Sequence, residues 1–131
     1  MEKQWEKEFA LRRRDGREID RGIYKNLLYQ LEIRKVFLDS KLSLKKLSSM
    51  IETNQTYLSN VVNRYFDCNL KELINTYRVE YAKELLSERG CGLEEIAAKC
   101  GFASKSPSYV AFKKIVGMTP MKYMANFKQN D

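Results

Sequence analysis

Gln55, Thr56, Ser59, Asn60 and Asn63 place three amides and two hydroxyls within nine residues. On a helix, with 3.6 residues per turn, they gather toward one side. Amide side chains of this kind pair bidentately with the edge of adenine, and hydroxyls are less selective. Asn54 precedes the group, and Arg64 follows it as a phosphate contact or a plain surface charge. A second group, Lys105, Ser106 and Tyr109 with Ser104 before it and Lys113 and Lys114 after it, mixes hydroxyls with ammonium groups suited to phosphate oxygens. Either group also reads as a solvated helix face.

Chemistry of other kinds is poorly supplied. The chain has no histidine, the commonest general base and a frequent metal ligand. Glu94, Glu95 and Asp67 have no nucleophile in their company. Cys68, Cys91 and Cys100 are odd in number and lack a CxxC spacing, so neither a disulfide framework nor a zinc site is expected. The residues argue against an enzyme and imply no cofactor and no metal.

The formal net charge is +7 over 131 residues, with a pI near 9.3. Such a balance favours an acidic partner, nucleic acid or an anionic membrane, unless the excess lysine serves only solubility. No apolar run approaches the roughly 18 residues of a membrane span. The first residues are charged, unlike a secretory signal. A reducing cytoplasm is therefore the expected setting.

Helical periodicity dominates, and the fold class expected is all-α. Residues 1–22 carry seven basic and six acidic side chains; a short helix around Trp5 to Leu11 followed by a solvated linker at Arg12-Arg13-Arg14-Asp15-Gly16-Arg17 is expected, the arginine run being also able to touch phosphates or lipid headgroups. From Ile23 to Leu38 the spacing of Ile23, Leu27, Leu28 and Leu31 predicts a helix ending near Asp39-Ser40. Ser43 is the expected N-cap of the next, with Leu44, Leu47 and Ile51 inward. Thr53-Asn54, both strong N-cap residue types, lead into a third helix burying Leu58, Val61, Val62 and Tyr65. After Asp67-Cys68-Asn69, apolar steps of three and four from Leu70 to Leu86 predict a long helix, ended by Gly90-Cys91-Gly92.

The second half repeats the first. Leu93-Glu94-Glu95-Ile96-Ala97 matches Leu44-Lys45-Lys46-Leu47-Ser48 at a shift of 49, and Val116 to Met124 matches Phe66 to Ile74 at a shift of 50. Two helix–turn–helix units in tandem are the reading. In the second, Gly101 makes the turn with φ > 0, Phe102 plugs the corner between helices, Ser104 caps, and Pro107 is tolerated in the first turn. Phe112, Ile115 and Val116 point inward, Gly117 ends the helix, and Thr119-Pro120 starts another. A short-polar helix start after a tight turn fits the DNA major groove, about 12 Å wide.

Gly101-Phe102, Ser106, Phe112-Lys113-Lys114, Gly117-Met118-Thr119-Pro120 and Tyr123 resemble the signature of the AraC/XylS family of bacterial transcription regulators. Leu42-Ser43-Leu44, Asn54 to Ser59, Tyr77-Arg78-Val79 and Ala82 to Leu86 are similar to its first half. The likeness spans roughly residues 42–125. It implies a C-terminal DNA-binding domain of seven helices, two helix-turn-helix subdomains joined by a long linker helix, each second helix entering a major-groove segment of promoter or operator DNA. The division expected is 1–22 as charged linker with a helical segment, 23–87 as the first subdomain with the linker helix, and 88–131 as the second. The family reading adds transcription activation, bacterial RNA polymerase as a partner and an asymmetric site, with no small-molecule ligand within the domain.

The same resemblance puts Thr56, Ser59 and Asn60 where base contacts fall. At Ser108 the family often has a large apolar residue and at Val110 a polar or basic one. Ser108 is therefore expected partly buried with looser packing around it, and Val110 cannot hydrogen-bond a base. More sequence readout is expected from the first unit and more backbone affinity from the second. Arg78 reads as structural, and Tyr65, Tyr77, Tyr81 and Tyr123 as core. The tail-like segment 1–22 suggests a piece of a larger protein, following a cytosolic sensor or the cytoplasmic part of a membrane receptor. The rival reading is a helical protein–protein adaptor whose basic surface meets an acidic partner.

Overall fold

Ile23, Leu27 and Leu31 recur every four residues, and all three are buried, so the stripe read from the sequence is the inner face of a helix. In the computed structural model, which describes residues 15–88 and 92–129, that helix (α1) runs Asp15–Leu28, eight residues further back than expected. The expected helix around Trp5 and the Arg12 to Arg14 part of the expected linker lie outside the described residues; the rest of that linker, Asp15 to Arg17, is corrected to the first turn of α1, which continues backward from the Ile23 stripe without a break. Seven α-helices and no strand are present among the described residues.

The helix expected to reach Leu38 stops sooner. Tyr29–Ile33 widens to a π turn in which the Arg34 N–H donates to the Tyr29 carbonyl at 3.0 Å. Lys35 then adopts φ 53° and a 3₁₀ turn follows at Val36–Leu38. That break releases the carbonyls of residues 37 and 39 from helical bonding. Arg78 takes them, its Nε donating to Phe37 at 2.8 Å and its Nη2 to Asp39 at 2.9 Å.

The remaining helices are α2 (Leu44–Ile51), α3 (Gln55–Phe66), α4 (Leu70–Ser87), α5 (Leu93–Lys99), α6 (Lys105–Val116) and α7 (Pro120–Gln129). The Gly90-Cys91 stop expected after α4 lies outside the described residues.

The chain divides into two units: the residues up to Arg34 with Ser43–Leu70, and Lys35–Leu42 with Lys71 onward. In the first, α1 packs on α2 and α3, and Leu27, Leu31, Leu47, Leu58, Val61 and Val62 are wholly buried. In the second, Val79, Ala82 and Leu86 of α4 meet Ile96, Ala97 and Cys100 of the α5 segment, Phe102 of the turn, and Ala111 and Phe112 of α6. Tyr123 closes edge-on over Phe112 at 5.6 Å. Cys100 is buried and Cys68 half-buried, while Cys91 lies outside the described residues.

Candidate nucleic-acid interface

The repeat is realised bond by bond. At a shift of 49, Leu47, Ser48 and Ile51 correspond to Ile96, Ala97 and Cys100, all buried. The turn after each helix is closed alike: Thr53 N–H donates to the Ser48 carbonyl at 2.9 Å, and Phe102 N–H to the Ala97 carbonyl at 2.9 Å. The left-handed residue is Glu52 in one (φ 63°) and Gly101 in the other (φ 92°). A glycine is required only in the second. There a Cβ would collide with the Phe37 carbonyl oxygen and sit 2.8 Å from the Leu38 Cα.

At a shift of 50, α3 and α6 are both 12 residues long. Leu58, Val61 and Val62 face the core in one; Ser108, Ala111 and Phe112 do so in the other. Each helix ends on a positive φ, Asp67 at 56° and Gly117 at 90°. Matched burial fixes matched exposure, because a helix with three core positions in five residues has only one outward side.

On α3 that outward side holds Gln55, Thr56, Asn60 and Asn63 exposed and Ser59 half-buried. Asn54, also exposed, is the N-cap: its side-chain oxygen accepts from the Tyr57 N–H at 2.8 Å, so one of its two acceptor sites is spent within the protein. Arg64 is exposed in the last turn, and its Nη1 is ion-paired with Asp20 of α1. Asp20 escaped the sequence reading altogether, since nothing in a 44-residue separation signals the pairing.

On α6, Ser104, Lys105, Ser106, Lys113 and Lys114 are exposed and Tyr109 is half-buried. The Lys105 ammonium lies 5.4 Å from the Tyr109 ring centre, a cation–π contact. Ser104 holds the N-cap backbone conformation, but its side chain makes no capping bond, which corrects that expectation. Ser108 is more buried than expected, at 6% exposure. Its hydroxyl donates to the Lys105 carbonyl at 2.8 Å, and the bulk of that layer comes from the wholly buried Phe112. Val110, at 69% exposure, stands outward where α3 has Asn60.

Two further inward assignments change. Ile115 is 38% exposed and Tyr65 is 42% exposed. Tyr65 covers the flank of α1, stacked on Tyr24 with ring centres 4.4 Å apart. Tyr77, Tyr81 and Tyr123 are half-buried. Arg78 is structural, as read; burial pulls its pKa below the ordinary arginine value while Asp39 opposes that pull.

Comparison with known proteins agrees with this arrangement. A family described as a helix-turn-helix domain matches residues 47–126. The melibiose operon regulatory protein of Escherichia coli K12 is 29% identical over 85 residues, covering 65% of this chain and 28% of its own length. A probable transcriptional regulator, LumQ of Photobacterium leiognathi, is 30% identical over 86 residues, covering 66% of this chain and 35% of its own. The chain thus spans about a third of these curated relatives. Among solved structures, the C-terminal domain of the response regulator AraT from Geobacillus stearothermophilus superposes with a TM-score of 0.66 at 29% identity, over 72% of this chain and 78% of that one. The DNA-binding domain of AdpA, solved with a target DNA, shares the fold at a TM-score of 0.72 and 18% identity, over 82% and 94% of the two chains.

Proposed function

The chain belongs to the AraC/XylS family of helix-turn-helix transcription regulators, and on that footing we propose that it binds double-stranded promoter or operator DNA by inserting α3 and α6 into adjacent major-groove segments. It is a DNA-binding domain and not an enzyme. The observation that supports the reading best is the pair of 12-residue helices with matched buried positions, each presenting a polar face after a tight turn.

The division of labour follows from the side chains. Gln55, Asn60 and Asn63 offer amides to adenine edges, with Thr56 and Ser59 beside them. Lys105, Ser106, Tyr109, Lys113 and Lys114 favour phosphates, and Val110 has only an apolar contact to offer, as to a thymine methyl. Attraction to phosphates through released counterions gives binding that falls steeply with salt. The two units being tandem copies and not mates across a two-fold axis, the site bound by one chain is asymmetric. Regulation from such a site includes contact with bacterial RNA polymerase in the same proposal; transcription in vitro from a bound promoter with purified polymerase tests that part.

Selection of bound duplexes from a random library tests the whole. Two enriched segments about one helical turn apart are expected. A library left unenriched at physiological salt would overturn the reading in favour of a protein–protein adaptor.

A further inference from the structure

We propose that Asp20 is a positioning residue for DNA binding: it holds the Arg64 guanidinium at the end of α3 so that the outer edge of that group meets a DNA phosphate. The proposal rests on α3 lying against DNA.

Asp20 is 8% exposed, and the Arg64 side chain is 62% exposed. The carboxylate is the inner partner and the guanidinium the outer one. Only Nη1 engages Asp20, whereas a guanidinium carries five N–H donors in a rigid plane. The helix bearing Asp20 is itself fixed on the last turn of α3. Tyr24, one helical turn beyond Asp20, stacks on Tyr65 and lies 5.7 Å from the Phe66 ring.

Two outcomes are open when a phosphate arrives. Arg64 could leave Asp20 for the phosphate, or bind it while staying paired. Leaving would break an ion pair in which the carboxylate is the covered partner and the guanidinium the exposed one, and breaking such a pair costs more than one exposed ionic contact returns. Arg64 therefore binds while paired. An arginine already ordered by its partner gives up less side-chain freedom on contact. α1, which precedes the matched family region at residues 47–126, thus contributes to the binding surface through a residue that does not itself touch DNA.

The test uses the full chain, a duplex recovered from library selection and a scrambled duplex. Asp20→Ala is expected to weaken binding about fivefold on both, and to reduce the slope of log affinity against log salt by about 1, as loss of one phosphate contact does. Arg64→Ala should do the same, and the double variant no more than either single. Asp20→Asn, which keeps an acceptor in place, should recover part of the loss. All are compared at a temperature where circular dichroism shows them folded; if Asp20→Ala melts below it, Asp20→Asn decides, by a smaller loss and a shallower slope. Tighter binding with a steeper slope would make Asp20 a brake on Arg64 and overturn the proposal, as would unchanged binding by either single variant. Asn60→Ala separates the two levels. If it loses sequence preference while Asp20→Ala changes nothing, positioning alone falls; if the parent chain prefers no sequence, the reading beneath it falls.

Discussion

Arg78 and Phe37 lie 41 positions apart, yet the Arg78 Nε donates to the Phe37 carbonyl at 2.8 Å. The same guanidinium reaches the Asp39 carbonyl through Nη2 and stands 5.5 Å from the Phe102 ring centre. One side chain therefore ties the 3₁₀ turn, the start of the following loop and the helix–turn–helix corner into a single packed layer of the second unit. Arg78→Met should remove two charge-assisted bonds and leave a buried carbonyl unmatched, a loss of about 3 kcal/mol. Urea unfolding checks it, and Arg78→Lys, with a single compact ammonium, should recover only part.

Gly101→Ala probes the same layer from the other side. The position combines φ 92° with the approach of the Phe37 and Leu38 backbone. Conformational strain and the clash should together cost roughly 2 kcal/mol or more. Gly117→Ala, where a Cβ would meet nothing within 4 Å, carries the strain of φ 90° alone and should lose less. Thermal melts of the two variants give the comparison.

The starts of α3 and α6 differ in their caps. Asn54→Ala removes a bond of 2.8 Å to the Tyr57 N–H and should cost about 1 kcal/mol. Ser104→Ala removes no such bond and should leave stability unchanged within a few tenths of a kcal/mol. Equal losses at both positions would contradict this account.

Readout and anchoring should separate by unit. Asn60→Ala is expected to relax preference at one base pair, worth about 1–3 kcal/mol of discrimination. Lys105→Ala or Lys113→Ala should weaken operator and scrambled DNA alike and lower the salt slope by about 1 each. Fluorescence anisotropy over a salt series distinguishes the two. Equal loss of specificity from Asn60→Ala and Lys105→Ala would contradict the assignment.

Most of the fold was legible because its determinants are local or repeated. The Leu58/Val61/Val62 stripe, the Ser43 and Asn54 caps and the glycine turn at Gly101 each follow from a few neighbouring residue types, and the 49–50 residue repeat cross-checks one half against the other. The early end of the first helix was not legible. The hydrogen bonds that go with it, from Arg78 to the carbonyls of residues 37 and 39, leave no trace in local periodicity. Tyr65 and Ile115 follow the helical period of the core but lie in the last turns of α3 and α6, where it no longer ensures full cover. In the candidate interface the outward polar groups were evident from residue type. The Asp20 carboxylate behind Arg64 was not, because an acid amid a charged segment looks like any solvated one.

The fifty-residue correspondence between α3 and α6 makes the surface of one helix transplantable to the other. Positions 55, 56, 59, 60 and 63 map onto 105, 106, 109, 110 and 113, while Ser108, Ala111 and Phe112 stay beneath as an untouched chassis. A chimera with two amide-rich probes, or two lysine-rich ones, would keep its interior and change only its vocabulary.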